Sequence, residues 1–114
     1  MRVTIVATFL LFLAGCAISE SATSLSHEGS GGPYEGSGSV SCADSATLDG
    51  SLSMLSGNLT VRVLDGAGAI AFEDTLEARD GGELMRSLFG TAGTWKLEAH
   101  SANFEGKFTV SLSC

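Results

Sequence analysis

From Val40 onward apolar and polar residues alternate with a period of two. The end of the chain is the clearest case: Phe104, Gly106, Phe108, Val110, Leu112 and Cys114 occupy even positions, with Glu105, Lys107, Thr109, Ser111 and Ser113 between them. Successive strand residues point to opposite faces, so this alternation predicts a strand with one buried side. Trp95, Leu97 and Ala99 alternate with Lys96, Glu98 and His100 just before it. Ser101-Ala102-Asn103 would then turn the chain, making a closing hairpin. Upstream, Leu59, Val61 and Val63 alternate with Thr60 and Arg62. The Asp65-Gly66-Ala67-Gly68 break suits a tight turn with positive φ, and Ile70 and Phe72 continue on a return strand. Val40 and Cys42 share a face of a first strand, and Leu52 with Met54 belongs to another. Between Thr75 and Arg86 the pattern is broken by Asp80-Gly81-Gly82, and a short helical turn is expected over 83–89.

Six or seven short strands with turn signals between them predict an all-β fold, a small antiparallel two-sheet sandwich over residues 39–114. Gly93-Thr94-Trp95-Lys96-Leu97 followed by Gly106-Lys107-Phe108-Thr109-Val110 resembles the final hairpin of secreted Ig-like or jelly-roll domains. That resemblance implies an architecture and names no activity.

Ahead of the sandwich the character of the chain changes twice. Residues 17–38, AISESATSLSHEGSGGPYEGSG, cluster Gly, Ser and Glu without a sustained apolar period, which predicts a flexible linker. Within it Tyr34 and Pro33 are the residues that could contact a ligand, and His27 with Glu28 is too isolated for a metal site. Residues 1–15 carry one base, Arg2, and then a charge-free apolar run from Val3 to Gly15. This is the build of an export signal. A membrane-crossing helix needs about 20 apolar residues, and polar residues return already at Ser19 and Glu20.

Leu13-Ala14-Gly15-Cys16 resembles, position for position, the lipobox of bacterial lipoproteins. The resemblance implies a diacylglyceryl group on the Cys16 thiol, cleavage before Cys16, and usually acylation of the new amino terminus. It also implies attachment to a membrane through that lipid. In Gram-negative members an Asp directly after the cysteine tends to retain the protein in the inner membrane. Ala17 stands there instead, which implies the outer membrane where the cell has one. The alternative is an ordinary secretory leader cut near Ser19, giving a soluble exported domain.

Lipid on Cys16 leaves Cys42 and Cys114 as the remaining pair, in an oxidising compartment. Their alternation places both on inward faces, so a Cys42–Cys114 disulfide is expected, against the alternative of two buried free thiols. A loop of about 73 residues closed in this way is worth about 4 kcal/mol in the chain-entropy picture.

Charge and candidate chemistry narrow the function. Six Lys and Arg face thirteen Asp and Glu, a formal charge of −7. Removing Arg2 with the leader makes it −8, a surface that repels polyanions and argues against nucleic-acid binding. His100 is the sole histidine of the sandwich and reads as a solvated strand residue. No G-x-S-x-G elbow occurs to supply a nucleophile. Glu73 and Asp74 are adjacent on a strand and point to opposite faces, so they cannot flank one bond together. Asp65, Asp80 and Glu83 lie in Gly-rich turns that could offer oxygen to calcium, but turn chemistry accounts for Asp before Gly, and no metal, cofactor or catalytic residue is assigned. Asn58-Leu59-Thr60 matches a glycosylation sequon by pattern only, and Gly36-Ser37-Gly38 reads as linker. The expected role is a non-catalytic binding or accessory module with an envelope protein or glycan as partner, recognised by the outward face or by the loops 65–68, 80–83 and 101–103. The alternative is a small envelope enzyme or inhibitor.

Overall fold

The computed structural model describes residues 22–77 and 82–114. The predicted leader with Cys16, and Asp80, lie outside the described residues. Among the described residues the strands are β1 (Ala22–Ser30), β2 (Tyr34–Cys42), β3 (Ser45–Leu64), β4 (Ile70–Glu77), β5 (Gly82–Phe89), β6 (Gly93–Ser101) and β7 (Phe104–Ser113). All pairings are antiparallel. The long strand β3 belongs to two layers. Its first part, 45–57, pairs with β7 and β5, and β1 completes that layer on the far side of β7. Its second part, 58–64, pairs with β6 and β4, and β2 lies beyond β6. The expected two-sheet sandwich is therefore present, with β3 as the shared strand.

A bulge and a glycine take β3 from one layer to the other. Met54 stands opposite Gly106 and Ser56 opposite Glu105, so Leu55 has no partner across the pair and projects outward, 74% exposed. An extra residue of this kind bends a strand. Gly57 then adopts φ 91° against the Asn103 carbonyl, where a Cβ would collide with that oxygen. Both features exclude a side chain at the corner.

The inward faces meet in one core. Trp95, Phe104, Phe108, Leu48, Leu59, Leu97, Leu112, Val61 and Val63 are wholly buried. Burial of a large apolar side chain contributes about 1.5–3 kcal/mol, and these residues come from the central strands β3, β6 and β7. The alternation read at the end of the chain is thus correct, but the closing hairpin is not. β6 pairs with β2 and β3, β7 pairs with β1 and β3, and 102–103 arches from one layer to the other. Period two identifies the buried face of a strand without identifying its neighbour. The short connections 31–33, 43–44 and 90–92 cross between layers in the same way, while 65–69 closes a hairpin between β3 and β4, as expected.

Two other expectations are corrected. Residues 82–89 form strand β5 rather than a helical turn; Leu84 and Leu88 face inward, while Met85 and Phe89 are exposed and mask the period. The flexible linker to Gly38 is replaced by structure from Ala22 on: most of it is β1 and β2. Thr23, Leu25, His27 and Gly29 alternate inward along β1, as do Tyr34, Gly36, Gly38, Val40 and Cys42 along β2. Glycine at 38 lets the edges of the two layers close on each other, and glycine at 36 leaves room for the Tyr34 ring of its own strand. A Cβ on Gly38 would strike the Thr23 hydroxyl, and one on Gly36 would strike the Tyr34 ring.

Cys42 and Cys114 form a disulfide, with Cα atoms 5.7 Å apart and a sequence separation of 72. It joins the end of β2 in one layer to the residue after β7 in the other. Cys42 is buried, whereas Cys114 is exposed at the rim rather than inward as expected. Strand directions sort the rest of the molecule into two ends. The disulfide end holds Ala22, 43–44, the 65–69 turn and 90–92; the opposite end holds 31–33, the β3 corner and 102–103.

Candidate functional site

The outer face of the layer containing β2, β6, β3 and β4 carries a polar ladder fixed by strand register. Ser37, Glu98, Arg62 and Glu73 stand in one row across the four strands, and Glu35, His100, Thr60 and Thr75 in the next. Arg62 Nε lies 3.1 Å from Glu73 Oε2, and its Nη1 lies 3.7 Å from Glu98 Oε1. Lys96 Nζ reaches the other Glu98 oxygen at 3.5 Å. The Thr60 and Thr75 hydroxyls are 2.9 Å apart. Glu35, Ser37, Arg62, Glu98 and His100 border a shallow groove of about 540 Å³ on this face.

A second groove continues it around the end opposite the disulfide, with Pro33, Tyr34, Glu35, His100, Ser101 and Ala102 as its walls. The two share the cross-strand pair Glu35 and His100. Tyr34 is held from behind: its ring stacks on His27 at 4.4 Å between centroids and meets Phe108 edge-on at 5.3 Å. Phe104 in turn meets Phe108 at 5.4 Å in a T-shaped contact. Such offset and edge-on pairs add about 0.5–1.5 kcal/mol beyond burial. The arches above are tied together as well. Gly31 N donates to Phe104 O (3.0 Å), Phe104 N to Gly32 O (2.8 Å), and Gly32 N to Asn103 Oδ1 (3.0 Å). The outer face therefore offers a carboxylate, an imidazole and a guanidinium, with the inward Tyr34 ring packed behind the strand end that borders them. This chemistry suits recognition of a polar ligand.

Of the loops expected to carry recognition, 101–103 adjoins this groove, while 65–68 lies at the other end. Asp65 is buried and structural. Its Oδ1 accepts from Ala67 N (2.9 Å) and Ala69 N (3.0 Å), and its Oδ2 accepts from Thr91 N (2.9 Å). These bonds, led by that from Thr91, hold its carboxyl below the ordinary 3.8 against the opposing effect of desolvation. Glu83 is in β5 rather than in a turn and is exposed. Glu73 pairs with Arg62, whereas Asp74 Oδ1 accepts from Thr75 N at 2.9 Å. His100 is exposed on its strand, as expected. Pro33 and Tyr34, read as linker residues, wall the groove at the end opposite the disulfide. His27 was read as isolated, yet it supports that groove; the signal for it was the Thr23, Leu25, His27, Gly29 alternation. Among the described residues no group of three or more His, Cys, Asp or Glu side chains is placed to hold a metal ion.

No protein-family model and no curated protein matches the chain. Among solved structures, it is similar to the C-terminal CBM6 of LamC, a marine laminarinase from Zobellia galactanivorans, at 12% identity and TM-score 0.35, covering 83% of this chain and 75% of that one. It is similar to a chain of infectious bursal disease virus, Gx strain, at 11% identity and TM-score 0.32, covering 84% of this chain and 30% of that one. A third is the arabinose-bound α-L-arabinofuranosidase MgGH51, at 18% identity and TM-score 0.32, covering 83% of this chain and 17% of that one. Likeness at this level bears on none of the site residues.

Proposed function

We propose that this chain is a bacterial envelope lipoprotein whose β sandwich serves as a non-catalytic binding or accessory module. The acyl chains on Cys16 hold it to the membrane, the outer membrane in a Gram-negative cell, and the Tyr34 groove receives an envelope protein or glycan. One observation carries the reading: the described fold begins with Ala22 at the disulfide end, and the groove lies at the opposite end. An anchor on Cys16 therefore attaches to one end while the groove points away from the bilayer. Only six residue steps separate Cys16 from Ala22, a reach of at most about 20 Å. The strands themselves, rather than a long linker, project the groove outward.

Intact mass of the membrane-extracted protein tests the anchor. A mature chain beginning at Cys16 with added acyl mass is expected, and an unacylated chain beginning near Ser19 would replace the anchor by simple secretion. Capture from envelope extract tests the groove. A partner or glycan retained by the wild type and lost with Tyr34→Ala and Glu35→Ala supports it. Equal retention by all three would move recognition elsewhere.

A further inference from the structure

We propose that the disulfide end of the sandwich rests directly on the bilayer, with Phe89 and Ile70 entering the headgroup region. The proposal builds on the lipid anchor at Cys16 and concerns a surface outside the groove. Four observations meet at this end. Phe89, the last residue of β5, is 75% exposed, and Ile70, the first of β4, is 56% exposed. Both strands meet the disulfide end there, because Phe89 stands opposite Ser45 and Ile70 opposite Leu64. The loops around them are small and apolar: Ala43, Ala67, Ala69 and Ala92 are all exposed. A shallow groove beside the disulfide is lined in part by Cys42, Ala43, Ala46, Leu88, Phe89 and Cys114.

Charge is distributed to match. Within 43–44, 65–69 and 90–92 the ionisable side chains are Asp44 and Asp65, and the second is turned into backbone N–H groups. Glu28, Glu35 and Glu105 stand towards the other end, in a chain whose mature part has five bases against thirteen acids. An end crowded with carboxylates is repelled by anionic lipid, whereas among these loops the exposed carboxylate is Asp44, with Asp65 held by backbone N–H groups. The anchor then decides which end meets the membrane. Ala22 starts at the disulfide end, and at most about 20 Å of chain links it to Cys16. Exposed aromatic and aliphatic side chains held that close enter the interface to a depth of about 5–10 Å. The occupant we assign to this patch is therefore the lipid surface.

The test uses the full acylated protein in phosphatidylcholine vesicles whose acyl chains carry bromine near the headgroup. Phe89→Trp places an indole at the patch, Ile70→Trp a second one, and Leu55→Trp a control at the opposite end. Native Trp95 is wholly buried and gives a common background measured in the wild type. Most of the added emission at positions 89 and 70 should be quenched, with a blue shift, and that at position 55 should be untouched. If protein shown by mass to be acylated floats with the vesicles and all three positions stay unquenched, the docking is wrong and the anchor stands. A blue shift at 89 without bromine quenching, together with cross-linked dimers, would give the patch to a second copy and overturn the proposal. Protein lacking acyl mass overturns the anchor, and the docking falls with it.

Discussion

Asp65 Oδ2 accepts a hydrogen bond at 2.9 Å from the backbone N–H of Thr91, 26 positions further along the chain. Thr91 answers with its carbonyl, which receives Gly66 N at 2.8 Å and the indole Nε1 of the buried Trp95 at 2.9 Å. Nearby, Gly90 N donates to Asp44 O at 3.0 Å. The β3–β4 turn, the 90–92 arch and the 43–44 arch are thereby fastened to one another at the disulfide end. Gly90 is required for this approach, since a Cβ there would come within 2.6 Å of Asp65 Oδ2.

Asp65→Asn should lower the thermal midpoint by several degrees, because an amide oxygen cannot replace three acceptor contacts. The pH dependence follows from the direction of the shift. A carboxyl held below 3.8 in the fold contributes stability that is complete above 3.8 and disappears as pH falls through its lower folded value. Melting followed by circular dichroism from neutral pH downward should show a wild-type loss in that acid window that is missing from the variant. Parallel curves for the two proteins would remove Asp65 from this role.

Opening the Cys42–Cys114 disulfide should cost about 4 kcal/mol if its effect lies mainly in the unfolded chain. Urea unfolding with and without reductant measures this as a shift of the midpoint. Alkylating reagent should leave both cysteines unmodified in the folded, unreduced protein. Modification under those conditions would contradict the bridge.

Gly38→Val tests whether the Gly/Ser-rich stretch is strand or linker. Its side chain would press on Thr23, whose branched Cβ has little rotamer freedom. Overpacking of this kind costs about 1–3 kcal/mol. Thr23→Ala in the same chain should recover much of the loss. A valine tolerated at no cost would mean that β1 and β2 do not close.

Asp74 and Arg86 bear on solubility. Opposite buried Val61, Asp74 faces inward on the edge strand β4, and Arg86 does so opposite buried Leu48 on the edge strand β5. Inward charges on edge strands discourage pairing with another molecule. Replacing both by valine should therefore increase aggregation, read by light scattering on heating. Unchanged scattering would make the two charges incidental.

The alternation at Leu59–Val63, Trp95–Ala99 and Phe104–Leu112 determined the strands and their buried faces from sequence alone, because side-chain direction along a strand is a local property. The Asp-Gly turn after Leu64 was equally legible. Cys42 and Cys114 pointed to their bond as the pair that remains when Cys16 is expected to carry lipid. Which strand neighbours which was decided by the tertiary structure. A three-residue connection such as 101–103 closes a hairpin or an arch equally well, and the choice depends on the long-range partners β2, β1 and β3. Strand β1 and the first part of β2 were hidden for a related reason. Gly36 and Gly38 are small because Tyr34 and Thr23 occupy their space, and a glycine chosen by a distant neighbour looks in sequence like one chosen for flexibility. The groove shares this origin: Tyr34, Glu35 and His100 are brought together by pairing across the layer, which no local pattern records.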